Sequence, residues 1–307
     1  MSRVSILLLA LCACASPPAA ERPLAPWPPP AGPLRVLIDT DAANEVDDLY
    51  ALALALGFPE RISLEGIVAA HFGKAADIDK SMSYIDRVLE LSGKKGKIRT
   101  ARGIAPLKEG QPCPGSDGID LILERARAGT PQNPLWLILL GPVTDGVAAL
   151  ERDPSIADRV VIFWHGRSKW PVECKNFNAT NDRVATRRSF EQASRFVLFD
   201  TGAQLTIPME ETERRFAPLG PLGTHLHEIR RRNPHFTLPT KGMFDLGDIA
   251  ALIDPACAPW EKTAAPTVQA DLKYDFSTPR GELIRIEDVD RNRCFDLLEE
   301  ALRRLKN

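Results

Sequence analysis

The sequence predicts a single α/β domain built on an open, mostly parallel β-sheet with helices on both faces. Short β-rich runs alternate with longer helical patterns along the chain. The run Leu135-Trp-Leu-Ile-Leu-Leu140 is apolar throughout, which is typical of parallel strands covered on both faces. No second linker and no internal repeat divides residues 34–307, so this stretch is predicted to fold as one domain.

The first strand and helix set the pattern for the elements that follow. An apolar strand over residues 34–38 precedes a helix over residues 49–56 that ends at Gly57 and Pro59. Because this order begins a βαβ unit, polar residues just after a strand are expected at the ligand-binding edge of the sheet. Further strands are predicted at 62–69, 98–102, 135–140, 160–164 and 196–199, and further helices at 76–91 and 119–127.

The N-terminal residues predict an exported protein. Met1-Ser-Arg precedes an apolar run over residues 4–11 that is too short for a membrane span, which is the layout of a secretory signal. Leu11-Cys12-Ala13-Cys14 resembles a bacterial lipobox, so residues 1–13 are interpreted as a signal peptide and Cys14 as the acylated mature N-terminus. The protein would then lie in the periplasm or cell envelope, with the lipid as its only membrane contact. Cleavage elsewhere between residues 12 and 20, giving a soluble secreted product, is the alternative.

Residues 14–33 are rich in Pro and Ala and are predicted to form a semi-extended tether. An exported chain can oxidise its cysteines, but the four that follow the signal contain no CxxC pair and leave three pairings open. These residues are Cys113, Cys174, Cys257 and Cys294.

The charge distribution gives no reason to expect a nucleic-acid partner. The formal net charge is −2 at pH 7, and the basic residues are dispersed apart from the run at residues 230–232. That run is interpreted as the solvated face of a helix.

The densest polar feature is the run Asp39-Thr-Asp41-Ala-Ala-Asn44-Glu45-Val-Asp47-Asp48, directly after the first strand. Five carboxylates this close raise one another's pKa unless a cation or hydrogen-bond donors neutralise them. A hard divalent cation with oxygen ligands, Ca²⁺ or Mg²⁺, is the simplest partner. The alternative is that Asp47 or Asp48 caps the following helix while the others face water. Because a cap needs only one acid, a metal site is predicted.

This segment resembles the fingerprint of the inosine-uridine-preferring nucleoside hydrolase family, a strand followed by Asp-x-Asp-Pro-Gly-x-Asp-Asp and an apolar helix. Here Ala-Ala-Asn-Glu-Val replaces Pro-Gly-x and is two residues longer. Three further segments resemble the family in the same order, and together they span most of the mature chain. They are Leu140-Gly-Pro-Val-Thr-Asp145, Asn176-Phe-Asn178-Ala-Thr-Asn-Asp182, and Phe244-Asp245 to Ile253-Asp254-Pro255.

The resemblance implies calcium-dependent hydrolysis of an N-glycosidic bond in a nucleoside or related riboside. It implies that Asp41 is both a calcium ligand and the base for the attacking water, which the ion orients and acidifies. The remaining ligands implied are Asp48, as a bidentate carboxylate, Asp245, and the backbone carbonyl of Leu140. Asp39 would be a supporting carboxylate that steadies the metal site.

On the substrate side, the resemblance places Asp47 and Asn178 at the ribose hydroxyls and Asn176 near the ribose 5′ end. Phe244 stands where relatives often have a histidine that assists the departing base, and a phenyl ring cannot donate a proton. His71 and His165 each follow a predicted strand, so His71 is a candidate substrate-binding residue and His165 a candidate acid. A structural histidine is the alternative for both.

Two other functions are compatible with parts of the sequence. A phosphatase of the haloacid dehalogenase type also begins with a strand and Asp-x-Asp, but it leaves Asp47, Asp48 and the segment at 176–182 unexplained. A non-catalytic, calcium-dependent riboside-binding lipoprotein would account for the missing histidine, whereas retention of Asp41 favours catalysis. Both the hydrolase and the binding lipoprotein would have a small-molecule riboside as their partner. Members of the family are commonly homo-oligomers, and the sequence leaves the oligomeric state of this protein open.

Overall fold

The computed structural model describes residues 23–73, 77–193, 195–201 and 203–306. Its strands are β1 (Leu34–Thr40), β2 (Ile62–Ala69), β3 (Thr100–Arg102), β4 (Leu135–Leu139), β5 (Val160–His165), β6 (Phe196–Phe199), β7 (Thr206–Pro208), β8 (Thr240–Gly242), β9 (Trp260–Ala264), β10 (Thr267–Val268), β11 (Tyr274–Asp275) and β12 (Glu282–Ile286). Its α-helices are α1 (Asp47–Gly57), α2 (Ile78–Leu91), α3 (Asp117–Arg127), α4 (Thr144–Arg152), α5 (Phe177–Asn181), α6 (Arg183–Gln192), α7 (Met209–Arg215), α8 (Gly220–Arg232), α9 (Leu246–Ile253) and α10 (Arg291–Leu305). Short 3-10 helices lie at Pro154–Ile156 and Pro255–Cys257.

Eight strands form the main sheet in the order β3-β2-β1-β4-β5-β6-β12-β9. All neighbouring strands are parallel except the pair β12 and β9 at one edge. From β1, strands β2 and β3 follow in order towards one edge of the sheet, and β4, β5 and β6 follow in order on the other side of β1. The direction of strand order therefore reverses between β1 and β4, and open parallel sheets bind their ligands at this position, beyond the carboxyl ends of the strands.

Helices cover both faces of the sheet, as the sequence predicts. Successive side chains of a strand point to opposite faces, so Val36 and Ile38 join the apolar core on the side of α1 while Leu37 joins the core on the side of α3. Helix α1 is buried along its whole length. Gly57 at its end has no side chain where a Cβ would collide with Ala301 of α10, which allows the two helices to pack closely.

The predicted element positions agree with the structure to within a few residues. Strands β2 and β6 have the predicted limits, β5 extends one residue further to His165, and β3 begins at Thr100 rather than at residue 98. Strands β5 and β6 are strongly apolar, and a short continuous apolar run is typical of a buried strand, whereas β3 (Thr-Ala-Arg) lacks this pattern.

The described part of the predicted tether packs against the domain, so the domain begins before residue 34. Ala25 and Trp27 are buried, and the Trp27 ring lies 6.2 Å from that of Trp136 and 5.8 Å from that of Phe163. Burying a large indole in an aromatic cluster outweighs the preference of the Pro-rich segment for an extended, solvated chain. The predicted signal peptide and Cys14 lie outside the described residues.

Arg230 is a second correction, because it is fully buried rather than solvated. Its guanidinium donates to the carbonyl oxygens of Ile207 at 2.8 Å and Pro208 at 3.2 Å. Its neighbours Arg231 and Arg232 pair with Glu228 at the surface instead. The four described cysteines are free thiols, and no helix among the described residues has the length and apolar character needed to cross a membrane.

Candidate active site at the switch point of the sheet

Four aspartates line one cavity of about 240 Å³ beyond the carboxyl ends of β1 and β4. Asp41 follows β1, Asp47 and Asp48 form the first turn of α1, and Asp245 immediately precedes α9. Carboxyl oxygens of Asp47, Asp48 and Asp245 lie within 4.8 Å of one another. The structure thus brings together the acidic residues for which the sequence predicts a metal site.

Local contacts fix the positions of these carboxyl groups. The Thr40 hydroxyl donates to Asp48, and Oδ2 of Asp47 accepts the backbone N–H of Phe244 at 2.9 Å. Gly141, in the turn after β4, allows the backbone to approach Asp41, since a Cβ at that position would lie 3.0 Å from the carboxyl carbon of Asp41. Hydrogen bonds therefore hold the carboxyl groups of Asp47 and Asp48, and Gly141 leaves room for that of Asp41.

The electrostatics of the cluster favour a bound cation. Among the described residues, no lysine or arginine forms an ion pair with these four carboxyl groups. Burial, followed by the charges of Asp48 and Asp47, raises the pKa of Asp41, and burial with Asp47 raises that of Asp48 to about 7. Burial and then Asp47 and Asp48 raise the pKa of Asp245. A divalent cation would reverse these shifts by favouring the charged carboxylates.

The available atoms suit a hard divalent metal ion. Oδ2 of Asp41 and Oδ1 of Asp47 are buried and accept no hydrogen bond from the described residues. Leu140, whose backbone carbonyl adds a neutral oxygen, lines the same cavity. The alternative interpretation as a helix cap is wrong, because the N-cap of α1 is Val46 and no side chain caps it. Carboxylate and carbonyl oxygens are the ligands that calcium and magnesium prefer.

Asp39 lies outside the lining of this cavity. It is buried beside Asp145, and burial followed by the charge of Asp145 raises its pKa. Asp145 is itself anchored by the backbone N–H of Ile104 at 2.9 Å. The charge of Asp41 acts on Asp39 as well, so Asp39 neighbours the cluster without belonging to its surface.

Asn178 is oriented by two hydrogen bonds. Its Nδ2 donates to the carbonyl oxygen of Leu140 at 2.8 Å and to that of His165 at 3.1 Å. Both amide hydrogens are therefore used, and the side-chain oxygen is the atom left to bind a ligand. Asn176 also lines the cavity, but its oxygen caps α5 through the N–H of Ala179 and its Nδ2 donates to Cys174.

His165 lines the cavity and is paired with an acid that sequence reasoning missed. Its Nδ1 lies 2.7 Å from Oδ2 of Asp248 and 3.5 Å from Oδ1 of Asp245. Burial is the largest single influence and lowers the pKa of His165, but the charge and hydrogen bond of Asp248 together with the charge of Asp47 outweigh it, so the net shift is upward. The available signal is the spacing of Asp245 and Asp248, since residues three apart share one face of a helix.

His71 does not reach the cavity, which corrects its prediction as a substrate-binding residue. Its Nε2 lies 2.9 Å from the hydroxyl of Thr144, which in turn donates to Asp182 at 2.9 Å. Burial lowers the pKa of His71 to about 4. The physical reason is the strand order, because β2 lies on the far side of β1 from the switch point.

The rest of the lining comes from loops and from the start of α5, and sequence reasoning assigned no role to most of it. Glu45, from the lengthened first loop, forms an ion pair with Lys241 of β8. Arg167 follows β5, and its guanidinium carbon lies 4.4 Å from the centre of the Phe244 ring. Asn44 and Phe177 also contribute to the lining.

Comparisons with known proteins identify a family and a shared fold. Residues 36–296 match the family described as inosine-uridine preferring nucleoside hydrolase, and no curated protein matches the chain. Among solved structures, a plant nucleoside hydrolase has 19% identity and a TM-score of 0.69, with 88% of this chain and 99% of that one covered. A purine-preferring ribonucleoside hydrolase from Gardnerella vaginalis has 18% identity and a TM-score of 0.70, with 88% and 98% covered.

An inosine-uridine preferring nucleoside hydrolase from Bacillus anthracis is similar at 16% identity and a TM-score of 0.68, with 88% of this chain and 99% of that one covered. At these identities the structures show a shared fold, whereas the family match extends over most of the sequence. The phosphatase alternative is therefore wrong. This chain belongs to the inosine-uridine preferring nucleoside hydrolase family, whose members are hydrolases acting on N-glycosyl compounds.

Proposed function

We propose that this protein hydrolyses the N-glycosidic bond of a nucleoside or related riboside and depends on calcium to do so. The observation that carries the proposal is the convergence of Asp41, Asp47, Asp48 and Asp245 on one cavity at the switch point of the sheet. A single helix cap or surface charge would not require four buried acids without basic partners.

The ligands of the ion would be Asp41, Asp48, Asp245 and the carbonyl of Leu140. All are oxygen donors, and Asp48 can offer both of its carboxyl oxygens, which suits the higher coordination number of calcium better than the strict octahedron of magnesium. A bound calcium ion would orient a water molecule for attack and make its protons more acidic.

The sugar would be held by Asn178 and Asp47, because the hydrogen bonds that each side chain makes leave one of its oxygens available to a ligand. The side-chain oxygen of Asn178 is oriented by the two donations of its amide group. Oδ1 of Asp47 has no hydrogen-bond partner among the described residues, while Oδ2 accepts the backbone N–H of Phe244. Two fixed acceptors suit the vicinal hydroxyl groups of ribose, which are donors.

Asp41 is the base in this proposal. Its Oδ2 is buried and has no partner among the described residues, so it can accept the proton of the attacking water. As the bond from C1′ to the base breaks, positive charge develops on the sugar ring, and the surrounding carboxylates stabilise that charge. The products are free ribose and the released base.

Binding without catalysis is the second candidate function, and Phe244 is the observation that favours it. A phenyl ring at the position where relatives often have an acid removes one known way to release the base. The two candidate functions differ in one respect that can be measured. In the catalytic proposal Asp41 accepts a proton from the attacking water, and in the binding proposal it does not.

We further propose that the protein is exported to the periplasm or cell envelope and anchored by a lipid at Cys14. The N-terminal sequence supports this proposal through its basic start, short apolar run and lipobox-like cysteine. Mass spectrometry of the mature protein tests it, since an N-terminal diacylglyceryl-cysteine at residue 14 is expected and a peptide that retains residues 1–13 would contradict it.

The deciding experiment measures ribose released from inosine, uridine, adenosine, cytidine and nicotinamide riboside by the mature protein, with calcium or with EDTA. We expect release with calcium, none with EDTA, and a loss of about 10³-fold or more in kcat for Asp41→Asn. Asp79→Asn, an exposed acid outside the cavity, is the matched control and should behave like the unaltered protein. Calcium-dependent riboside binding without any release would identify a receptor instead.

A further inference from the structure

Arg167 is a charged residue of the cavity lining to which the proposed function assigns no role. It lies two residues after His165, beyond the end of β5, and its side chain is half-buried in the lining. Its guanidinium carbon lies 4.4 Å from the centre of the Phe244 ring, which is a cation–π contact. A cation thus lies in a cavity whose other charged groups are almost all acidic.

The charge of Arg167 is available to a ligand. In the described ranges no carboxylate forms an ion pair with Arg167, whereas Lys241, the other basic residue near the cavity, is paired with Glu45. The guanidinium also acts on its surroundings, since it opposes the upward shift of the pKa of His165. An unpaired guanidinium offers five N–H donors in a fixed plane.

The aromatic ring that supports Arg167 is held in place from two directions. Gly242 has no side chain where a Cβ would collide with the Phe244 ring, so the ring occupies that space. The backbone N–H of Phe244 donates to Asp47 at 2.9 Å. The cation–π contact therefore places Arg167 beside the segment whose backbone holds Asp47, the carboxylate proposed to bind the sugar.

We propose that Arg167 stabilises the leaving group while the N-glycosidic bond breaks, by charge and hydrogen bonding rather than by proton transfer. This inference rests on the proposed function and names the group that replaces the missing acid. Neither Phe244 nor a guanidinium, which stays protonated in proteins, can donate a proton. A fixed cation next to a nitrogen heterocycle can instead lower the energy of the anion that forms.

His165 is less suited to this task than Arg167. Its Nδ1 is engaged by Asp248 at 2.7 Å and faces Asp245 at 3.5 Å, so the ring is tied to the carboxylate cluster. We therefore assign the departing base to Arg167 rather than to His165.

The atoms and electrons of the step balance without a further reactant. The bond between C1′ and the base nitrogen breaks, and its electron pair stays on the base, which leaves as an anion beside Arg167. The water oxygen bonds to C1′, and one water proton passes to Asp41. The base then takes up a proton from solvent or from Asp41, giving ribose and neutral base.

This arrangement predicts a substrate class. Leaving groups that depart as stabilised anions and present carbonyl acceptors, such as hypoxanthine and uracil, gain from the cation. Nicotinamide riboside carries a positive charge on its leaving group before reaction, so Arg167 should repel it. The protein should therefore prefer inosine or uridine, even though nicotinamide is intrinsically the better leaving group.

The test compares kcat/KM of the unaltered calcium-loaded protein, Arg167→Met and Arg167→Lys on inosine, uridine, nicotinamide riboside and p-nitrophenyl riboside. Arg167→Met keeps an unbranched side chain over Phe244, and it should lose about 10²-fold or more on inosine and uridine. On nicotinamide riboside the same variant should be unchanged or faster, and Arg167→Lys should recover part of the loss on inosine. Arg304→Met, which removes a guanidinium 4.2 Å from the ring of Phe58 in a region remote from the cavity, is the matched control.

Equal losses on all substrates would overturn the proposal, because they would indicate a structural role for Arg167. Preference of the unaltered protein for inosine 5′-monophosphate over inosine, lost in Arg167→Met, would also overturn it by placing the cation at a sugar phosphate. Hydrolysis of p-nitrophenyl riboside that depends on Asp41 supports the proposed function whatever Arg167 does. Failure to hydrolyse any of these ribosides would refute both proposals together.

Discussion

Asp47 accepts a hydrogen bond from the backbone N–H of Phe244 across 2.9 Å. This contact joins the first turn of α1 to the segment between β8 and α9, which are almost two hundred residues apart in the sequence. The carboxylate proposed to bind ribose and the ring proposed to support Arg167 are thereby held in one rigid unit. Changes at Asp47 should consequently affect both sides of the cavity.

Asp47→Ala and Asp47→Asn should separate these two contributions. The amide oxygen of Asn can still accept the N–H of Phe244, so we expect Asp47→Asn to fold normally and to lose about 10-fold or more in kcat/KM through weaker binding of the ribose hydroxyls. Asp47→Ala should lose more activity and also about 1–3 kcal/mol of stability, because the N–H is left without its acceptor. Kinetics with uridine and thermal unfolding measure both effects, and equal unfolding temperatures for the two variants would contradict this account.

Asp48→Asn and Asp245→Asn should each weaken calcium binding and abolish the thermal stabilisation that calcium gives. A ligand that binds only the folded state stabilises it in proportion to the logarithm of its concentration, so the stabilisation disappears when affinity is lost. Calorimetric titration and melting curves with and without calcium provide the measurement. If both variants retain full stabilisation by calcium, the metal site has been placed on the wrong residues.

The stability of the metal-free protein should fall as pH rises between about 4 and about 7. Burial and Asp47 raise the pKa of Asp48 from 3.8 to about 7, so the folded state holds a proton that the unfolded state releases. The folded protein then binds more protons than the unfolded chain, and its free energy of unfolding decreases with rising pH. Melting temperatures in EDTA across this range measure the effect.

Saturating calcium should remove most of this pH dependence, because the ion takes the place of the protons. Part of it should persist, since burial also raises the pKa of Asp145 to about 7 and Asp145 does not line the cavity. A flat melting temperature in EDTA would show that the carboxylates are already ionised in the metal-free protein.

Trp27→Ala should destabilise the domain by about 3–5 kcal/mol, as truncation of a large buried aromatic residue does. The indole packs between Trp136 and Phe163, so its removal leaves a cavity against the central strands. Val172→Ala is a suitable control because Val172 is 62% exposed. Denaturant unfolding distinguishes the two, and equal stability of both variants would mean that residues 25–33 are dispensable for folding.

The sequence was sufficient for the fold class because the strands it predicted near the middle of the sheet are apolar, whereas β9 and β12, which contain charged residues, were not predicted. Leu135–Leu139 could be identified as a central strand since every residue in it is apolar, and burial on both faces requires this pattern. The acidic cluster was equally visible, because Asp41, Asp47 and Asp48 lie within eight residues of one another and follow a strand. The sequence therefore predicted the part of the site whose residues lie close together along the chain.

The remaining parts of the site depend on contacts between distant segments. Asp248 pairs with His165 across 83 residues, and Arg167 meets Phe244 through two different loops. His71 and His165 both follow strands, yet only His165 reaches the cavity, because strand order and not sequence decides which strand ends lie side by side. Trp27 was placed in a tether for the same reason, since its partner Trp136 is more than one hundred residues away.

The reversal of strand order between β1 and β4 creates a cavity lined by different parts of the scaffold. Water activation and departure of the base, the two halves of the proposed reaction, use different parts of this lining. The residues proposed to hold the ion and activate water arise from the sheet edge and the start of a buried helix, where substitutions would disturb the core. Arg167, proposed to act on the base, lies in the connecting segment after β5, and connecting segments tolerate change. A lineage of such proteins could therefore acquire new leaving groups by altering this segment, while its hydrolytic half stayed fixed.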